Sequence, residues 1–155
     1  MGPSRPPVVT VAGAVNGTTY PLDQIPALSC STSDATSGVD TSAILTISRT
    51  TSGTYTATCA GATDNAGNTA PAVAITYTVM PTATSLGATT AQYVTSSGSP
   101  DANGVIHDLQ NKLLHNQICQ YIAKVNNESQ PPNATLTAAQ ASELIYWARI
   151  LDPSC

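Results

Sequence analysis

From residue 8 to residue 79 the apolar positions recur every second residue, the period of strands with one buried and one solvated face. "VVTVA" (8–12) opens the series, and a second strand is expected around Leu28 and Cys30. "SAILTIS" (42–48), "GTYTATC" (53–59) and "AVAITYTV" (72–79) follow. Tyr55, Ala57 and Cys59 share one face, as do Val73, Ile75, Tyr77 and Val79. The turn signals "VNGTT", "TSGVD", "TTSG" and "TDNAGN" separate the runs. Short strands at this spacing predict an antiparallel β-sandwich over 6–80.

Past Met80 the pattern changes. Residues 81–103 are rich in Thr, Ser, Gly and Pro and read as a linker, with room for a short helix carrying Leu86, Tyr93 and Val94. From Gly104 the period becomes helical. Ile106, Leu109 and Leu113 share a face, and Leu114, Ile118, Tyr121, Ile122 and Val125 continue it one position out of phase. That predicts a kink or break near 115–117. A further helix should start at Thr137, which forms a T-x-x-Q capping box with Gln140 and follows Leu136 at the staple position. It should bury Ala141, Leu144, Ile145 and Ala148, with Trp147 as a further candidate, and end near Leu151, because Pro153 prevents its continuation. The expected organisation is therefore a β-sandwich followed by a small α-helical bundle over 104–155, with the start of the second domain near 85 as the alternative boundary.

Composition and charge narrow the function classes. Only 9% of the 155 residues are charged, the net charge is −4, and the five basic residues are scattered. Phosphate neutralisation has no footprint, so nucleic acid is not expected as a partner. No apolar run reaches the roughly 18–20 residues that a bilayer span needs. "MGPSRPPVV" lacks the apolar core of a secretory signal, yet the Thr-, Ser- and Ala-rich composition is that of secreted modules. The expectation that reconciles the two is that Met1 to Ser4 is an artificial start, or follows a signal lying further upstream.

Four cysteines, Cys30, Cys59, Cys119 and Cys155, allow three pairings. Only Cys30 with Cys59 and Cys119 with Cys155 keeps each bridge within one half. Loop-closure entropy makes each such bridge worth about 3.5–4 kcal/mol. No two cysteines have C-x-x-C spacing, so disulfides rather than a metal site are expected, and with them an oxidising, extracellular location.

The run "PPVVTV", "CSTSDATSGV", "GTYTATC", "TDNAGN" and the closing "YTV" resembles the immunoglobulin-like repeats of bacterial, especially actinobacterial, extracellular proteins. The resemblance spans residues 6–79 and implies a sandwich used as a spacer, an adhesive module or an appendage of a secreted enzyme. A tyrosine corner would need Tyr two residues before the second cysteine, where this chain has Ala57, with Tyr55 four before. Further on, "ICQYIAKVNNESQPPNATLTAAQASELIYWARIL" resembles the C-terminal part of the small helical FIMAH domain of bacterial secreted and surface proteins, within a resemblance covering 85–151. The motif that names that domain is replaced here by "YIAKV". Neither resemblance implies a catalytic residue.

The candidate sites are modest. Asp64, Asn65 and Asn68 of "TDNAGN", with Asp34 or Asp40, offer hard oxygens for calcium, although not with EF-hand spacing. The same residues suit a tight hairpin, with Asp64 accepting backbone N–H bonds and Gly67 supplying positive φ. No other cofactor is expected. His107 and His115, eight apart on one helix, would stand about 12 Å apart along its axis and cannot share a metal. Tyr121, Tyr146 and Trp147 form either a candidate contact surface for a sugar or partner, or helical core. The N-x-S/T triplets at Asn16, Asn127 and Asn133 are glycan acceptors only in a glycosylating host. An internal isopeptide bond is excluded because the first half has no lysine. No hydrolase elbow, zinc-binding His pair or phosphate loop appears.

The expectation is thus a non-catalytic extracellular module, serving as spacer, adhesion or targeting region toward cell wall or polysaccharide. The competing expectation is a self-assembling subunit of a filament or surface array, its partner another copy, joined through edge strands such as "VVTVA" or "AVAITYTV" or by exchange of the N-terminus.

Overall fold

The computed structural model describes residues 5–50, 52–132 and 134–155. Met1 to Ser4 and the triplet residue Asn133 lie outside the described residues. The strands are β1 (Val8–Ala12), β2 (Thr19–Pro21), β3 (Ser29–Ser33), β4 (Val39–Thr41), β5 (Ile44–Arg49), β6 (Thr54–Ala60), β7 (Thr63–Asp64) and β8 (Val73–Met80). The helices α1 (Ala83–Ser96), α2 (Ala102–Leu114), α3 (Ile118–Glu128) and α4 (Ala138–Leu151) follow. Strands and then helices make a mixed β plus α chain, as the change of period predicts. It divides into two compact units: the chain up to Tyr20 with Ile25–Val79, and Pro21–Gln24 with Met80–Cys155.

In the first unit the sheets are small. Four strands run in the order β2-β8-β6-β5, and β1-β3 and β4-β7 form two-stranded sheets. The β5-β6 and β6-β8 ladders are antiparallel and in continuous register, pairing Ile47 with Ala57 and Tyr55 with Tyr77. Glycines set two of the turns. Gly53 (φ 74°) donates to the Thr50 carbonyl while Thr50 N–H reaches the Thr54 carbonyl. Gly67 (φ 85°) does the same with Asp64 and Asn68, a pattern in which a left-handed residue closes the loop. One expectation is corrected here: "AVAITYTV" is not an edge, because β8 lies between β2 and β6.

The core of this unit is made of small side chains. Val9, Cys59, Ala62 and Ala70 are buried, with Val11, Cys30, Ala43, Leu45 and Val73 packed against them. Each buried methylene-sized group contributes about 0.8 kcal/mol, so such a core needs help. It has a Cys30–Cys59 disulfide that joins β3 of one sheet to β6 of another (Cα–Cα 5.7 Å).

In the second unit each helix packs on two others, α1 on α2 and α4, and α3 on α2 and α4; the short helical turn Leu22–Gln24 packs on α1. Residues 81–103, read above as a linker with room for a short helix, hold a helix that takes up most of the segment. α1 has fourteen residues, opened by a capping box between Thr82 and Ser85. Leu86, Thr90 and Val94, four apart, are fully buried beside Gly87. The break at 115–117 is a complete helix end: Asn116 is left-handed (φ 55°), its N–H bonds the Leu113 carbonyl, and Gln117 N–H bonds that of Lys112. These paired bonds satisfy the last carbonyls of α2. α4 opens with the Thr137–Gln140 box and stops at Leu151.

A Cys119–Cys155 disulfide (Cα–Cα 5.1 Å) ties the tail after α4 to α3. Across α2 and α3, Lys112 and Lys124 flank Asp108 at 2.8 and 3.8 Å, and Lys124 also meets Glu128 at 2.8 Å. Both lysines are partly solvated, so each pair is worth at most about 1 kcal/mol. No helix among the described residues is long and apolar enough to cross a membrane.

Candidate functional site

Short polar loops that carry Asp, Asn, Ser and Gly can satisfy their own backbone through carboxylates, and two such loops meet in the first unit. In "SDATSG", Asp34 Oδ1 accepts the N–H groups of Thr36, Ser37 and Gly38 at 2.9, 2.6 and 3.0 Å. In "TDNAGN", Asp64 Oδ1 accepts those of Ala66 and Asn68 at 3.0 and 2.7 Å, and its Oδ2 accepts the Asn68 amide at 2.7 Å. Ser37 links them. Its hydroxyl lies 2.9 Å from Asp64 Oδ2 and 3.2 Å from Asp34 Oδ1. With one proton to give, it donates best to the nearer Asp64 oxygen. Asn65 completes the junction, donating its backbone N–H to the Gly38 carbonyl and its side-chain amide to that of Ser37.

Asp64 is buried, 2% exposed, and every bond above is made to its ionised form. Its pKa is held below the ordinary carboxylate value first by the Asn68 amide and then, against the opposing effect of burial, by the Asn68, Ser37 and Ala66 donors. Asp34 is lowered likewise, mainly by the Ser37 N–H.

The structure therefore brings Asp34, Asp64 and Asn65 together but aims donors at the oxygens a calcium ion would need. Asn68 points its amide N–H group at Asp64, and Asp40 accepts from the hydroxyls of Thr41 and Thr63. These contacts close the two loops. Among the described residues the only three His, Cys, Asp or Glu side chains whose ligand atoms converge are Cys119, Asp152 and Cys155. Two of them are joined as a disulfide, which takes their thiols out of metal chemistry.

Of the two readings of the aromatic residues in the second unit, burial decides for core at Tyr121 and Trp147. Tyr121 is fully buried and Trp147 is 1% exposed; only Tyr146 is partly open, edge-on to Trp147 at 4.7 Å between ring centres. Each buried ring has a partner for its polar atom. Trp147 Nε1 donates to Glu143 at 2.8 Å. The Thr90 hydroxyl donates to the Leu86 carbonyl at 2.7 Å, so the Tyr121 hydroxyl, 2.7 Å from Thr90, must donate to Thr90. Burial raises the Tyr121 pKa well above that of a free tyrosine.

An aromatic group that the periodicity did not single out lies in the first unit. Tyr55 stacks on Tyr77 at 5.1 Å, and Tyr20 meets Tyr77 edge-on at 6.0 Å. The Tyr55–Tyr77 pair follows from the strand register, so that pairing could have been read from it; Tyr20 sits on a three-residue strand with no readable period. Burial raises the Tyr77 pKa.

The second unit also holds a cleft of about 350 Å³ between α1 and α2, lined by Gly87, His107, Gln110 and Leu114 among others. Gln110 donates to the Gly87 carbonyl at 3.2 Å, and Leu114 is 80% exposed. The two histidines part company: His107 lines the cleft, while the ring of His115 lies 2.8 Å from the Asn111 carbonyl at the end of α2. No protein-family model matches the chain, and neither a characterised protein nor a solved structure does.

Proposed function

We propose that the chain is a non-catalytic extracellular module of a bacterial secreted or surface protein, a spacer, adhesion or targeting region. The observation that carries this reading is the pair of disulfides, one within each unit. Such staples are maintained in oxidising compartments and are used by units too small to rely on their cores. The candidate polar junction supports it as well, because Asp34, Ser37 and Asp64 spend their hydrogen bonds on one another's loops.

The immunoglobulin-like reading of the first unit is supported by the Cys30–Cys59 link between strands of two different sheets. The FIMAH-like reading of the second rests on the resemblance in its last two helices. Fusion of the chain to an unrelated soluble carrier tests the function. Retention of the fusion on insoluble cell wall or polysaccharide supports targeting, no retention leaves the spacer role, and release of soluble sugar or peptide products overturns the proposal.

A further inference from the structure

The outer edge of β5 offers a strand-pairing surface. Its hydrogen-bonding phase follows from the hairpin that begins at Thr50. The Thr50 N–H bonds the Thr54 carbonyl, and Val79 N–H on the far side of β6 bonds the Gly53 carbonyl. Antiparallel ladders alternate, so β6 turns its even residues to β5 and its odd residues to β8. On β5 the main-chain groups of Thr46 and Ser48 therefore face β6, whereas those of Leu45 and Ile47 face away from it, along the edge of the sheet.

This edge carries few of the devices that protect such strands. Its ladder with β6 is unbroken over six residues with no bulge. There is no proline or lysine in β5, and residues 41–48 hold no charge. Ile44 is 68% exposed and Ile47 51% exposed, on opposite faces.

We propose that this edge pairs with β5 of a second copy of the chain, antiparallel about a two-fold axis at Thr46. In that register Leu45 of each copy lies opposite Ile47 of the other. The two hydrogen-bonded pairs use the outward groups of these residues, four main-chain bonds in all. On the same face the exposed Ile47 side chain covers Leu45 of the partner strand. Ile44 falls opposite Ser48, and Arg49 falls opposite Ala43, so no like charges meet. The surface is complementary to itself, as a closed two-fold interface must be. The partner is thereby another copy rather than a strand of different chemistry. The inference adds to the proposed module without depending on it, since a monomeric or a paired chain can be displayed by a secreted protein.

Sedimentation velocity of the full chain from micromolar to millimolar concentration tests the pairing. A reversible monomer–dimer equilibrium is expected. Ile47→Lys should weaken it by at least about tenfold, and Ile47→Pro should do the same while leaving every ladder bond to β6 in place. Thr46→Cys tests the register. Residues opposite each other in a non-hydrogen-bonded pair have Cα atoms about 4.5 Å apart, so this variant should form a covalent dimer on mild oxidation, whereas Ser48→Cys should not. A chain that stays monomeric throughout, a dimer indifferent to both Ile47 variants, or equal cross-linking by the two cysteine variants would overturn the proposal. So would capture of an unrelated extended peptide by a chain that does not dimerise.

Discussion

Ser37 and Asp64, 27 residues apart in sequence, are joined by a 2.9 Å hydrogen bond that locks two loops of the first unit together. Each loop is already closed by its own aspartate, and Ser37 makes one structure of two. Ser37→Ala should lower the melting temperature of the first unit by several degrees, and Asp64→Ala, which strips the Asn68, Ala66 and Ser37 donors of their acceptor, should lower it further. Circular dichroism melts compare the two, and equal melting of both variants with the parent would contradict the account.

The same carboxylates set the acid response. Both Asp34 and Asp64 have folded pKa values below the 3.8 of an unperturbed aspartate. Their contribution is therefore complete above the unfolded value and is lost as pH falls through the depressed folded values. Stability of the first unit should be flat across neutral pH and fall below about pH 4, and Asp64→Asn should flatten that fall. Urea titrations at pH 7 and in acid measure it.

Glycines should respond with opposite signs according to place. Gly13 has φ 106°, and a Cβ there would collide with the Ala27 carbonyl oxygen. Gly13→Ala should cost at least about 3 kcal/mol, strain and clash together. Gly104 in α2 has open space around it, so Gly104→Ala should instead add about 0.5–1 kcal/mol. Chemical denaturation of the two variants gives both numbers.

In the helical unit the Thr90–Tyr121 bond crosses from α1 to α3. Tyr121→Phe removes one hydrogen bond yet leaves Thr90 bonded to Leu86, and should cost about 1 kcal/mol. Thr90→Val leaves a buried phenol without its acceptor and should cost more, about 1–3 kcal/mol. Trp147 is the single tryptophan and lies in this unit, so its fluorescence follows the unfolding directly.

How much of this was legible before the structure depended on length and on side-chain size. The five-residue and longer strands carried a period of two, and the break after Leu114 showed as a phase slip. β2, β4 and β7 have two or three residues, too few for any period. The length of α1 was underread because "ATSLGATTAQYVTS" is poor in strong helix formers. Its burial of Ser85, Gly87 and Thr90 depends on close approach by neighbouring helices, which composition does not report. The Asp34–Ser37–Asp64 junction was half visible: the turn chemistry of "TDNAGN" and its grouping with Asp34 were readable, but the Ser37 hydroxyl that joins the two loops was not. Tyr121 and Trp147 at helical spacing read first as core, with a contact surface as the alternative, and the packing decides for core.

The central claim is that each unit is closed by its own disulfide in an oxidising setting. A non-reducing peptide map of the alkylated chain, with stepwise mild reduction, tests it most directly. The account predicts peptides linked Cys30–Cys59 and Cys119–Cys155 with no alkylated cysteine at the outset. The Cys119–Cys155 link should open first, because Cys119 is exposed whereas Cys59 is fully buried. Free thiols in the untreated protein, or a link joining either of Cys30 and Cys59 to Cys119 or Cys155, would contradict it.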